Sequence, residues 1–161
     1  MPEVICNTSP LQYLHQLGRL NILPALAGGI VIPHTVVEEL AEGRQAGFDL
    51  PDPAVLPWIT IRHPASTPAL PLASDLGPGE SGVLALALES DGATVILDDA
   101  LARRVAETLR LPLTGTLGLL LDAKRRGLIP LVAPCIDELE RLRFRLAPHT
   151  RAAVLRLAGE S

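Results

Sequence analysis

Aromatic side chains are nearly missing from this chain. Trp58, Tyr13, Phe48 and Phe144 are all it has, 2% of 161 residues, and they are scattered. That leaves little material for stacking bases, which needs aromatics grouped on a sheet, and it leaves the core to Leu, Val, Ile and Ala. Lysine is scarcer still: Lys124 stands alone, so chemistry that needs a buried lysine anywhere else is excluded. Cys6 and Cys135 are far apart and have no second Cys or His at zinc spacing, and they read as reduced thiols in or near the core. No apolar run approaches the ~20 residues of a membrane span, and no signal peptide is visible. The expectation is a cytoplasmic protein. Excess positive charge is also lacking. The formal net charge is −4, which sits badly with broad nucleic-acid binding unless bound cations cancel some of the acids.

What is present is a strongly apolar chain, 48% hydrophobic, long enough for one domain and too short for two ordinary ones. Short apolar runs alternate with helical patterns. Glu3–Cys6 reads as a buried strand, followed by a helix with Ser9 as N-cap, Pro10 at its first position and Gln12 completing a capping box. Ile22–Leu26 reads as a helical turn and Ile30–Ile32 as a second strand. A helix opens at Pro33 and Thr35 and frays at Gly43. Residues 43–57 read as loop, Trp58–Ile61 as a third strand and His63–Pro78 as a long loop of the kind that often serves function. A helix starts at Gly77-Pro78-Gly79-Glu80, with Val83, Leu84, Ala87 and Leu88 as its apolar stripe. Thr94–Leu97 is a fourth strand, ended by Asp98-Asp99. A helix through Leu109, a fifth strand at Leu111–Leu113 and helices over Leu117–Gly127, Ile136–Phe144 and Pro148–Leu157 complete the chain. Strands alternating with helices predict an α/β fold with a central, mainly parallel sheet of about five strands, helices on both faces and sites at the carboxyl ends of the strands.

Asn7 and Asp98-Asp99 fall at such strand ends, and Glu39 and Glu80 lie on helices that can reach the same edge. Hard cations such as Mg²⁺ take oxygen ligands and need only a few carboxylates. Two unit charges ~4 Å apart at an effective dielectric near 20 repel by about 4 kcal/mol, so a cluster of acids that survives folding argues for a cation. Each residue also has a plainer role open to it. Asp98 or Asp99 fits as a helix cap, Glu80 as a first-turn acid favoured by the helix dipole, and Glu38 as a solvated side chain. A receiver domain would need its acid pair early and a lysine late, and a dinucleotide fold would need a Gly-x-Gly-x-x-Gly turn. The sequence has neither pattern.

The run Val4-Ile5-Cys6-Asn7-Thr8-Ser9-Pro10-Leu11, then Val36-Val37-Glu38-Glu39-Leu40, Gly77-Pro78-Gly79-Glu80 and Ile96-Leu97-Asp98-Asp99 with Ala102-Arg103, resembles in order and spacing the acidic motifs of the PIN-domain (PilT N-terminus) family. Gly115-Thr116-Leu117-Gly118 and Ala123-Lys124-Arg125-Arg126-Gly127 resemble a bacterial and archaeal subfamily near the VapC-type toxin ribonucleases. The resemblance spans about residues 3–130, within one PIN-like domain over 1–161 whose residues 131–161 form C-terminal helices. It implies a three-layer α/β/α fold and a Mg²⁺- or Mn²⁺-dependent endoribonuclease. Asn7, Glu39, Glu80, Asp98 and Asp99 would be its metal-facing residues, and Glu39, Glu80 and Asp99 the catalytic ones. Ser9 and Thr116 would line the site or cap helices. Arg103, Arg104, Arg125 and Arg126 would meet RNA phosphates or form a solvated face. A small antitoxin is the implied partner; separately, Leu139, Leu142, Val154 and Leu157 at near-helical spacing predict a C-terminal segment that packs on the domain or forms a homodimer surface. The chain departs from the family in one respect, carrying Asn7 where PIN nucleases commonly have Asp. A catalytically weak PIN module that binds RNA or a protein without cutting is the alternative this opens.

Overall fold

The computed structural model describes residues 3–66 and 75–161; residues 67–74, within the long loop expected over His63–Pro78, lie outside the described part. Five strands, β1 (Val4–Cys6), β2 (Ile30–Pro33), β3 (Ile59–Arg62), β4 (Thr94–Ile96) and β5 (Leu113–Thr114), form one sheet in the order β3-β2-β1-β4-β5, and every pairing is parallel. The apolar runs make this possible. All four residues of β2 are buried, as a parallel strand covered on both faces requires.

The helices are α1 (Thr8–Gln16), α2 (Ile22–Ala27), α3 (His34–Gln45), α4 (Pro78–Glu89), α5 (Ala100–Thr108), α6 (Thr116–Arg125), α7 (Ala133–Arg141) and α8 (Pro148–Leu157). The α/β fold and five-stranded parallel sheet expected from the sequence are present. Several bounds differ. Helix α3 runs past Gly43 to Gln45, Pro53–Val55 is a 3₁₀ turn within the expected loop, and β5 begins two residues later than expected.

Two differences have physical causes. Ser9 is not the N-cap of α1, since Asn7 occupies that position and Ser9 lies in the first turn. The Ser9 hydroxyl is drawn off by Asp98, and Pro10 fits within the first turn because its missing N–H would have no helical partner there. Helix α4 has no single apolar stripe. Val83 to Ala87 are all buried while Leu88 is exposed, because α4 packs on β1, β2 and β4 and also against α3. Gly82 permits that approach: a Cβ there would stand 2.5 Å from Thr35 Oγ1 and 2.9 Å from Pro33 Cβ.

One contiguous core runs from Ile5 through Leu84 and Leu120 to Ile136, Leu139 and Val154, so α7 and α8 pack into it. A largely buried Glu160 fixes the last turn. It accepts from the N–H groups of Val132 (2.8 Å) and Ala133 (2.9 Å) and pairs with Lys124 Nζ at 2.9 Å. Both cysteines are free and buried.

The chain moves from β1 to β2 and β3 on one side, then returns to β4 and β5 on the other. The order reverses between β1 and β4, where the Asn7 N–H donates to Ile96 O at 3.1 Å. A crevice outside the carboxyl ends of the strands opens at such a reversal. There the chain carries Asn7 on one side and Asp98-Asp99 on the other.

Candidate active site

Asn7 is 3% exposed and stands in extended backbone at the head of α1, yet its side chain makes no capping bond. Its Oδ1 is buried with no hydrogen-bond partner. An unsatisfied buried acceptor costs about 1–3 kcal/mol, so this oxygen calls for a donor or a cation beside it. Gly79, in the first turn of α4, shows where it points. A Cβ on Gly79 would stand 2.6 Å from Asn7 Oδ1 and would collide with Glu39 Oε1. Both oxygens therefore pack against the bare Cα of Gly79, an approach that any side chain there would block.

Glu39, on α3, is steered there by two donors. Thr8 Oγ1 donates to its Oε1, and the Gly79 N–H donates to Oε2 at 3.2 Å. Glu80, one residue further along α4, is half-buried. Burial pushes its carboxyl above the ordinary range, and the charges of Glu39 and Asp99 push the same way; its own backbone N–H and the Asn7 side chain oppose them.

Asp98 and Asp99 divide two roles between them. Asp99 caps α5, its Oδ2 accepting from the Ala102 N–H at 3.0 Å. Asp98 turns inward and accepts three bonds: from the Thr116 N–H (2.8 Å), Thr116 Oγ1 (2.6 Å) and Ser9 Oγ (3.2 Å). Thr116 is fully buried at the start of α6, so this acid is tied to a rigid helix end. Burial raises the Tyr13 hydroxyl and the Cys6 thiol, and the Asp98 charge adds to both.

Asn7, Glu80, Asp98 and Asp99 line one cavity of about 310 Å³, with Ser9 and Tyr13 on its wall. Glu39 does not line this cavity; it packs against Gly79, close to Asn7 Oδ1. Among the described residues, no three His, Cys, Asp or Glu side chains close on one point as a finished metal-ligand group. Each acid leans instead on its own protein donor. The donor set nonetheless fits a hard divalent cation. It is all oxygen, it includes an orphaned buried amide oxygen, and the bare Gly79 lets that oxygen and a Glu39 oxygen come close together.

The structure brings Asn7, Glu39, Glu80, Asp98 and Asp99 to one edge of the sheet. Of the four arginines singled out in the sequence, only Arg103 is near. Its Nη1 donates to Leu97 O at 2.7 Å, at the end of β4. Arg104 is exposed, Arg125 pairs with Asp122 at 3.3 Å, and Arg126 reaches Leu26 O at 3.4 Å. Sequence reasoning missed Thr8, Gly79 and the segment Arg143-Phe144-Arg145, which also lines the cavity. Gly79 carried a signal, because glycine in a helix is unfavourable unless something must approach closely. The turn from α7 to α8 carried none, since its place over the site depends on the packing of distant helices.

A family model described as a PIN domain matches residues 3–160. No curated protein and no solved structure matches the chain. The match takes in α7 and α8 as well as the acidic motifs, and the chain belongs to the PIN-domain family.

Proposed function

We propose that this protein is a Mg²⁺- or Mn²⁺-dependent endoribonuclease that hydrolyses RNA phosphodiester bonds at the β1–β4 crevice. PIN domains are nucleases as a class; the RNA substrate, the metal and the residue roles are this proposal's own. The observation that carries it is the orphaned Asn7 Oδ1, packed with Glu39 Oε1 against the bare Gly79 and lining a cavity with Glu80, Asp98 and Asp99. Asn7, Glu39, Glu80, Asp98 and Asp99 would hold the cation. When bound, the cation supplies Lewis-acid stabilisation of the phosphate and a more acidic attacking water. Thr116 and Ser9 fix the Asp98 carboxylate, and Thr8 and the Gly79 N–H fix Glu39, so neither has to reorganise when substrate arrives. Asp99 has committed one oxygen to α5 and offers the other. Glu80 faces the cavity and accepts the attacking water's proton.

The test is cleavage of a labelled RNA in Mn²⁺ by the parent chain and by Glu39→Gln, Glu80→Gln and Asp99→Asn. Loss of at least a hundredfold in each supports the assignment, and turnover equal to the parent's defeats it. The uncharged Asn7 favours a second reading, a PIN module that binds RNA with weak or no turnover. Metal-dependent binding without cleavage would select it.

The toxin role, with a small antitoxin as partner, is tested by expression in a host cell. Growth arrest that Glu80→Gln relieves is the expected result, and unaffected growth with the parent contradicts it. A homodimer is tested by mass in solution. Among the described residues, no helix is long and apolar enough to cross a membrane.

A further inference from the structure

Four helices end in the same way. After α1, α3, α6 and α8 the next residue but one enters the left-handed region, and it is Gly18 (φ 70°), Gly47 (φ 93°), Gly127 (φ 74°) and Gly159 (φ 74°). Helix α7 makes the same turn, with the Phe144 N–H donating to Leu139 O at 2.9 Å and the Arg143 N–H to Glu140 O at 3.1 Å. Its left-handed residue is not glycine but Arg143, at φ 68°. A side chain is strained there; Arg110 after α5 (φ 58°) shares that strain, so the surroundings of Arg143 rather than its backbone decide whether the side chain has a use.

The place of Arg143 supplies the use. Arg143 and Arg145 line the same cavity as Glu80, Asp98 and Asp99, yet among the described residues neither makes an ion pair with any acid. Between them Phe144 turns inward and meets Tyr13 edge-on, ring centres 5.0 Å apart, which pins the turn to α1. Arg145, Phe144 and Asp98 also line a second cavity of about 330 Å³, which continues past Arg103 and Gly115. The two cavities share Asp98, Phe144 and Arg145, so Arg145 stands at the border between an acidic chamber and a neighbouring groove. A polyanion with one phosphate among the acids would have its next phosphates beside these guanidinium groups.

We propose that Arg143 and Arg145 bind the RNA backbone phosphates flanking the bond that is cut, with the groove beyond Arg145 receiving the neighbouring nucleotide. This rests on the ribonuclease reading of the acidic chamber. It also answers the mismatch between a net charge of −4 and a nucleic-acid substrate, because positive charge is needed only along the path of the strand.

Arg110, at φ 58° after α5, is an internal control: it has the same backbone strain but lines neither cavity. The experiment measures binding of a labelled single-stranded RNA in Mn²⁺ to the full chain carrying Glu80→Gln, with Arg143→Gly, Arg145→Ala or Arg110→Gly added. Thermal unfolding is followed alongside. Arg143→Gly and Arg145→Ala should each weaken binding about tenfold and flatten the slope of log affinity against log salt by about 0.7. Arg110→Gly should bind as the background does. Arg143→Gly should unfold no lower than the background, since glycine relieves the turn. A merely structural role for Arg143 would lower it. Binding by both cavity variants equal to the background's overturns the proposal, as does a background chain that does not bind RNA. Cleavage by the parent chain then decides separately whether the ribonuclease reading falls as well.

Discussion

Asn7 Oδ1 and Glu39 Oε1 both pack against Gly79, so closely that any side chain there would collide with them. Asn7 follows the first strand, Glu39 rides on α3, and the glycine lies in the first turn of α4. Three segments distant in the sequence thus meet at two oxygens and an absence.

Gly79→Ala tests that meeting with one methyl group. The new carbon would displace Glu39, and the Glu39 contact with the Gly79 N–H would lengthen from 3.2 Å. Because Gly79 lies within α4, alanine there is otherwise compatible with the helix. RNA cleavage should fall by about a hundredfold, as expected for catalytic groups misplaced by roughly 1 Å. The far-ultraviolet circular dichroism should not change.

Asn7→Asp should act in opposite directions with and without metal. An extra charge beside Glu39 and Glu80 adds repulsion in the metal-free chain, so Tm in EDTA should drop. Each kcal/mol lost appears as about 2–4 °C in a chain of this size. Added Mn²⁺ should then raise Tm further than it does in the parent, since tighter binding stabilises the folded state more. Cleavage should increase.

Thr116→Val keeps the shape and removes the hydroxyl. Asp98 would keep the Thr116 N–H and Ser9 but lose the bond of 2.6 Å. Cleavage should fall about tenfold, the worth of one charge-assisted hydrogen bond, and steady-state kinetics should place the loss in kcat.

The order of the acids along the chain, and their place at strand ends, could be read from residue patterns, because β–α alternation and hydrophobic spacing are local properties. Which aspartate turns inward could not be read. Asp98 and Asp99 are equivalent until Thr116, eighteen positions from Asp98, supplies two donors to one of them. Ser9 was misplaced for a related reason: its hydroxyl satisfies Asp98, 89 positions away, rather than its own helix. Arg143 and Arg145 carried no legible signal, because their nearness to Glu80 arises only when α7 and α8 fold back on the core.

Glu160→Gln tests the C-terminal fastening that holds that turn. Burial pushes the Glu160 carboxyl up, but the bonds from Val132, Lys124 and Ala133 together outweigh it and hold the group below the ordinary range. A carboxyl lowered by folding stabilises above its unfolded pKa, and that contribution is lost as pH falls through the folded value. The variant should therefore lose about 1–3 kcal/mol at neutral pH. The difference from the parent should close as pH falls through and below the ordinary glutamate range. Thermal unfolding across pH measures both.

Calorimetric titration of Mn²⁺ into the parent chain and into Glu39→Gln, Glu80→Gln and Asp98→Asn reads directly whether oxygens from separate segments act on one ion. The parent should take up Mn²⁺ at a specific site, and each variant should bind it at least tenfold more weakly while remaining folded. Folded variants that bind Mn²⁺ as the parent does, or a parent that binds none, would contradict it.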